Sequence, residues 1–151
     1  RPCPSCGQRG CLEAYASVYV LKEKLVCAGV ADTELDDLEA LFEAGHPVVR
    51  EWIDEAAAHL APMVAMLENI LDPQTVILGG ALPELIISEI IARMGPLPTS
   101  VASRRQRELP RVIHGKSGQL TAALGAAALP LFDIVTPKLE TSMGAAAQAP
   151  G

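Results

Sequence analysis

The chain has 151 residues, half of them hydrophobic, with 12 Lys and Arg against 18 Asp and Glu for a formal charge of −6. That length fits one domain, and the acidic balance disfavours this segment as a holder of DNA or RNA, whose phosphates need clustered cations. With one Trp, two Tyr and two Phe, the core must be aliphatic and rich in Ala, which packs helices closely but buries little area per residue.

Residues 1–11 form a Pro- and Gly-rich turn that holds three of the four cysteines. From Leu12 to about Ala28 the apolar spacing predicts a helix, with Leu12, Tyr15, Ala16, Tyr19, Val20 and Cys27 on a broad face and Gly29 as its stop. Asp32 or Thr33 is expected to cap a second helix, Thr33 with Asp36 fitting a hydroxyl followed three residues later by an acid. Leu35, Leu38, Leu41 and Phe42 make its stripe, and Gly45 ends it. The third helix is predicted over Pro47–Leu71, with Pro at its first position and Asp72-Pro73 as its close. Pro62 inside it removes a backbone donor and is expected to bend it.

Thr75-Val76-Ile77-Leu78 reads as a short buried parallel strand, followed at once by Gly79-Gly80 and a helix from Pro83 to about Met94. Gly95 to Glu108 looks irregular, and its basic run Ser103–Arg107 reads as a solvated loop. Pro110 to His114 is a second short strand beside the first, and Gln119 to about Phe132 an Ala-rich helix. Residues 136–151 turn small and polar, as a disordered tail does. Two strands are too few for an independent sheet, so the rest is expected upstream. Arg1 in place of Met points the same way, to a piece of something longer. No apolar run reaches the roughly 18 residues that span a bilayer. With no signal peptide, a cytoplasmic location is expected and no membrane partner.

Three closely spaced Cys in a chain without secretory features point to metal before disulfide. Cys3, Cys6 and Cys11 can present thiolates to one point, with Gly7 and Gly10 letting the backbone turn around an ion. Zinc wants about four ligands, and none of His46, His59 and His114 is adjacent in sequence. A metal-free reduced cluster and a Cys3–Cys6 redox pair are the alternatives. No strand precedes Cys3, as such a redox pair normally requires. Glu13 sits where an acid favours a helix start by facing the dipole.

Cys6-Gly7-Gln8-Arg9-Gly10-Cys11-Leu12-Glu13 resembles the signature of the ROK family of sugar-responsive repressors and sugar kinases. The resemblance implies a structural zinc on Cys6 and Cys11, joined by Cys3 if its turn bulges, with a His ligand lying upstream of Arg1, and it makes Glu13 a contact for sugar hydroxyls. Cys3 departs from the pattern: two residues, Pro4 and Ser5, separate it from Cys6 where the family has one. Leu71 to Gly80 is similar to the family's helix end, Asp-Pro turn, strand and Gly-Gly. In kinases of the family that stretch implies nucleotide contact at Gly79 and Gly80; a tight strand-to-helix connection is the plain reading. Leu124–Leu129 is similar to a Gly-Ala-Ala helix near the end of family chains.

The implied fold is α/β: a helix-rich part of the C-terminal lobe of an actin-like, ribonuclease-H-like ATPase, with two short parallel strands. Residues 1–135 would be the C-terminal part of a ROK domain, with the zinc turn at 1–13. The implied partners are a monosaccharide or its derivative and a second copy of the chain, with DNA reached only through an upstream domain. Val18 after Ala16-Ser17, where glucokinase-like members more often have Gly, leans the reading towards a repressor's sugar-sensing portion. A sugar kinase, using ATP and Mg with an Asp base from an upstream segment, is the alternative. No catalytic residue is expected in these 151. A zinc-ribbon interaction module with no sugar role is a third reading, whose mark would be a fourth ligand within the chain.

Overall fold

The computed structural model describes residues 1–30, 32–101, 107–118 and 120–135. They fall in two units, Arg1–Thr121 and Ala122–Gly151. In the first unit the elements run α1 (Glu13–Ala16), α2 (Val18–Cys27), α3 (Leu35–Glu43), α4 (Pro47–Leu71), β1 (Val76–Leu78), α5 (Glu84–Arg93) and β2 (Val112–His114). The second unit contains α6 (Thr121–Val135), which begins on the last residue of the first. The predicted tail at 136–151 and residues 102–106 of the basic run lie outside the described residues. No described helix is long and apolar enough to cross a membrane.

The single helix predicted over 12–28 is two. Ser17 takes an extended conformation (φ −88°, ψ 153°), and its Oγ accepts from the Val20 N–H at 3.4 Å. Ser17 is therefore an N-cap, a signal hidden by the continuous apolar spacing around it. Gly29, at φ +86°, ends α2 as expected. The cap predicted from Thr33 and Asp36 falls one residue on: the Glu34 N–H donates to Asp37 Oδ2 at 2.8 Å, and Thr33 Oγ1 is buried with no hydrogen bond.

α4 has the predicted bounds and is the spine of the unit. It packs against α1, α2, α3 and α5. Trp52, Ile53, Val49, Ala56, Ala57 and Val64 form its buried face, joined by Leu21 and Leu25 of α2, Leu38 of α3 and Ile86 and Ile90 of α5. Each fully buried Leu or Ile contributes about 1.5–3 kcal/mol. The helix runs unbroken through Pro62, which is exposed, so the missing donor falls on the solvent side. It ends where Asp72 turns left-handed (φ 44°) and gives its N–H to Glu68 O at 3.0 Å.

β1 and β2 are parallel, pairing Val76 with Val112, Ile77 with Ile113 and Leu78 with His114. α5 lies between them in sequence and packs on β2. Only one face of the pair meets the core. Val112 is buried, Val76 and Leu78 are half-buried, and Ile77 is 62% exposed. The expected parallel strand is there, but among the described residues β1 is half-buried rather than buried. Before β1, the Thr75 hydroxyl donates to Pro110 O at 2.7 Å, which locks the register.

One buried charge went unseen in the sequence. Glu68 of α4 is 1% exposed and is hydrogen-bonded by the Arg111 guanidinium (Nε to Oε1, 2.9 Å, and Nη2 to Oε2), by Ser100 Oγ (2.7 Å) and by Arg107 Nη2 (3.3 Å). Arg111 also donates to Leu97 O (3.2 Å) and Pro98 O (2.7 Å). The guanidinium beside it holds the Glu68 carboxyl at about 2, against the desolvation that would raise it. Arg107, predicted to be part of a solvated loop, is instead engaged here and with Gln74 O at 2.6 Å.

Candidate metal centre and ligand cleft

The opening turn is a small antiparallel hairpin. Pro2 bridges Arg9, the Cys3 N–H donates to Gln8 O at 2.7 Å, and the Gly7 N–H returns to Cys3 O at 2.9 Å. Gly7 and Gly10 sit at φ +72° and +89°, where a side chain would be strained. This path absorbs the extra residue between Cys3 and Cys6. The Sγ atoms of Cys3, Cys6 and Cys11 all lie within 4.8 Å of one another, and those of Cys6 and Cys11 are 3.5 Å apart.

That spacing fits a thiolate metal site. Zn–S bonds of about 2.3 Å in a tetrahedron put sulfurs about 3.8 Å apart. Backbone N–H groups of Cys6 and then Ser5 pull the Cys3 thiol below its ordinary value. The Cys6 side chain, then burial and Cys3, push the Cys11 thiol up to about 11. Three thiolates this close repel, and a divalent cation at their centre would remove that obstacle. Among the described residues three ligands converge, and none of the three histidines joins them. His46 stands at the N-cap position of α4 with no capping hydrogen bond from its side chain, the His59 ring lies against Tyr15 at 4.1 Å, and His114 Nδ1 faces Glu84 Oε1 at 3.0 Å.

Cys11 leads directly into α1, where the Ala14 N–H donates to Cys11 O at 3.0 Å. Glu13 is the first residue of that helix and is exposed. α1 is only four residues long, so little aligned dipole is available to explain an acid there. The end of α1 is pinned from below: Trp52 Nε1 donates to Tyr15 O at 3.0 Å.

Past α1 the chain reaches a cleft of about 260 Å³, lined among others by Ser17, Val18, Leu60, Gly79, Gly80 and Ile87. Its floor is aliphatic. Gly79 and Gly80 leave β1 at its carboxyl end, where ligands of open α/β sheets bind. Gly80 has φ +143° and open space at the Cβ position. Sequence reasoning named the two glycines but not the cleft, because Ser17 and Val18 are more than 60 residues away from them in sequence (79 − 17 = 62).

A family model described as the ROK family matches residues 1–131. The chain belongs to the ROK family. Its fold is helix-rich α/β of the actin-like, ribonuclease-H-like kind, with two parallel strands. A crystal structure of a ROK hexokinase from Thermus thermophilus is similar, with a TM-score of 0.57 and 27% identity, over 87% of this chain and 45% of that one. An N-acetyl-D-glucosamine kinase of Vibrio atlanticus is 32% identical over 129 residues, 82% of this chain and 40% of its own length. A kanosamine kinase of Amycolatopsis mediterranei is 27% identical over 124 residues, with the same coverage. The chain thus spans about two fifths of the length of these two curated relatives.

Proposed function

We propose that residues 1–135 form the C-terminal part of a ROK domain that serves a sugar kinase. The turn at 1–13 holds a structural zinc on Cys3, Cys6 and Cys11, and Glu13 binds hydroxyls of a monosaccharide. Gly79 and Gly80 face the nucleotide. The observation that carries this reading is the convergence of three sulfurs two residues before an exposed carboxylate at a helix start. Zinc supplies rigidity here and no chemistry: three thiolates on one ion tie Cys3 to Cys11, and Cys11 carries Glu13. A carboxylate is a strong, directional acceptor for sugar hydroxyls. The turns with no Cβ let a phosphate-bearing ligand approach the backbone. No residue of this chain is assigned the role of general base.

The sequence alone leaned to a repressor's sugar-sensing portion, with the kinase second. The order changes because the relatives with named activities are sugar kinases. Val18 supports keeping the repressor as the second reading, because its side chain lines the cleft that Gly79 and Gly80 share. The zinc-ribbon reading loses its mark, since a fourth ligand does not join among the described residues.

The test is ATP-dependent phosphorylation of N-acetyl-D-glucosamine, kanosamine and glucose by the protein that carries this chain. Turnover of at least one sugar is expected, with Glu13→Gln raising its KM by about tenfold or more. Sugar binding without turnover would favour the repressor reading. Neither binding nor turnover of any sugar would refute both.

A further inference from the structure

Two glycine turns leave the carboxyl end of the sheet side by side. Because Leu78 pairs with His114, Gly79-Gly80 and Gly115-Lys116 emerge at one level. The turns are tied together: the Gly115 N–H donates to Leu78 O at 2.7 Å, and the Gly118 N–H to Gly80 O at 2.9 Å. A Cβ on Gly79 would stand 3.4 Å from the Lys116 carbonyl oxygen. The rim is therefore one hydrogen-bonded unit.

Lys116 is the exposed cation of that unit, and it makes no ion pair among the described residues. The acid on the same side, Glu84, is already held by His114 at 3.0 Å. Adjacent strands lie about 4.8 Å apart, a gap that the four-carbon stem of Lys can cross to bring its ammonium over the neighbouring turn. The place thus combines bare backbone on one strand end with a free positive charge on the next, in a chain that is acidic as a whole.

We infer that Lys116 contacts a phosphate of a nucleoside di- or triphosphate held against Gly79-Gly80. The inference rests on the nucleotide-facing reading of those glycines. It adds a residue from the other strand and assigns it the charge of the ligand rather than its base or ribose. A strongly hydrated point charge on a flexible stem suits a phosphate that moves between bound states.

The test is equilibrium binding of ADP and of adenosine to the protein carrying this chain. Wild type is compared with Lys116→Ala, Lys116→Arg and Gly79→Val. Lys116→Ala should weaken ADP by about tenfold, leave adenosine unchanged and flatten the salt dependence of ADP binding. Lys116→Arg should restore most of the loss, and Gly79→Val should weaken both ligands. ADP affinity unchanged in Lys116→Ala, or lost equally for adenosine, overturns the role of Lys116. If Gly79→Val still weakens both ligands, the nucleotide reading survives that result. Wild type binding neither ligand, or Gly79→Val weakening neither, overturns both.

Discussion

Trp52 in the second turn of the longest helix donates its indole N–H to the carbonyl oxygen of Tyr15 at 3.0 Å. Trp52 is fully buried, and Tyr15 lies four residues past Cys11 (15 − 11 = 4). The bond therefore joins the centre of the core to the short helix that carries Glu13. It satisfies a carbonyl at the end of α1, where the helix has no next turn to do so. The bond ties α1, into which the cysteine turn leads, to the core.

Replacing Trp52 by Phe keeps most of the apolar bulk and removes that donor. The loss should be about 1–3 kcal/mol, from one hydrogen bond and a partial cavity. Urea denaturation measures it. Thiol alkylation rates measure the accompanying prediction, that Cys6 and Cys11 become more accessible. An unchanged midpoint and unchanged rates would show that the turn holds its place without the core.

The Glu68–Arg111 pair should behave as a buried ion pair. Glu68→Gln leaves the guanidinium without its counter-charge, at a cost of about 3 kcal/mol or more. Replacing both residues by Met should recover much of that, since two apolar side chains need no partner. A double variant no more stable than Glu68→Gln, measured by the same unfolding curve, would contradict this account. It would mean that Arg111 matters through its bonds to Leu97 O and Pro98 O instead.

The same carboxyl predicts an acid limb. Glu68 is held at about 2 when folded, chiefly by the Arg111 side chain, and an unfolded Glu titrates near 4.3. A depressed folded pKa stabilises above the unfolded value, and that contribution is lost as pH falls from there towards about 2. The part at stake is on the order of 3 kcal/mol. Unfolding free energy measured from pH 6 to pH 3 should decline in wild type and decline less in the double Met variant. Parallel curves would exclude Glu68 as a source of the acid limb.

The spacing of apolar residues made α4 legible to the residue, because Pro47 and Asp72-Pro73 are local stops that nothing distant overrides. The order of strand, Gly-Gly and helix was legible for the same reason. The break at Ser17 was not, since Tyr15, Ala16, Val18 and Tyr19 keep a helical rhythm across it. Glu68 and Arg111 are 43 residues apart, and nothing local to either marks it as buried. In the candidate site the three cysteines were legible from spacing and from a family likeness. That Cys3 reaches the other two despite its extra residue depended on the hairpin of Pro2 with Arg9. The cleft joining Val18 to Gly79 was a product of tertiary packing alone.

The most direct test removes the metal and measures the sugar. In the protein that carries this chain, elemental analysis should find about one zinc per chain. Sugar affinity measured by calorimetry should fall by about tenfold when a chelator strips the zinc, and return when zinc is restored. Cys11→Ser should mimic the stripped state. Full sugar affinity in a protein shown to hold no zinc would contradict the claim that three sulfurs on one ion set the position of Glu13.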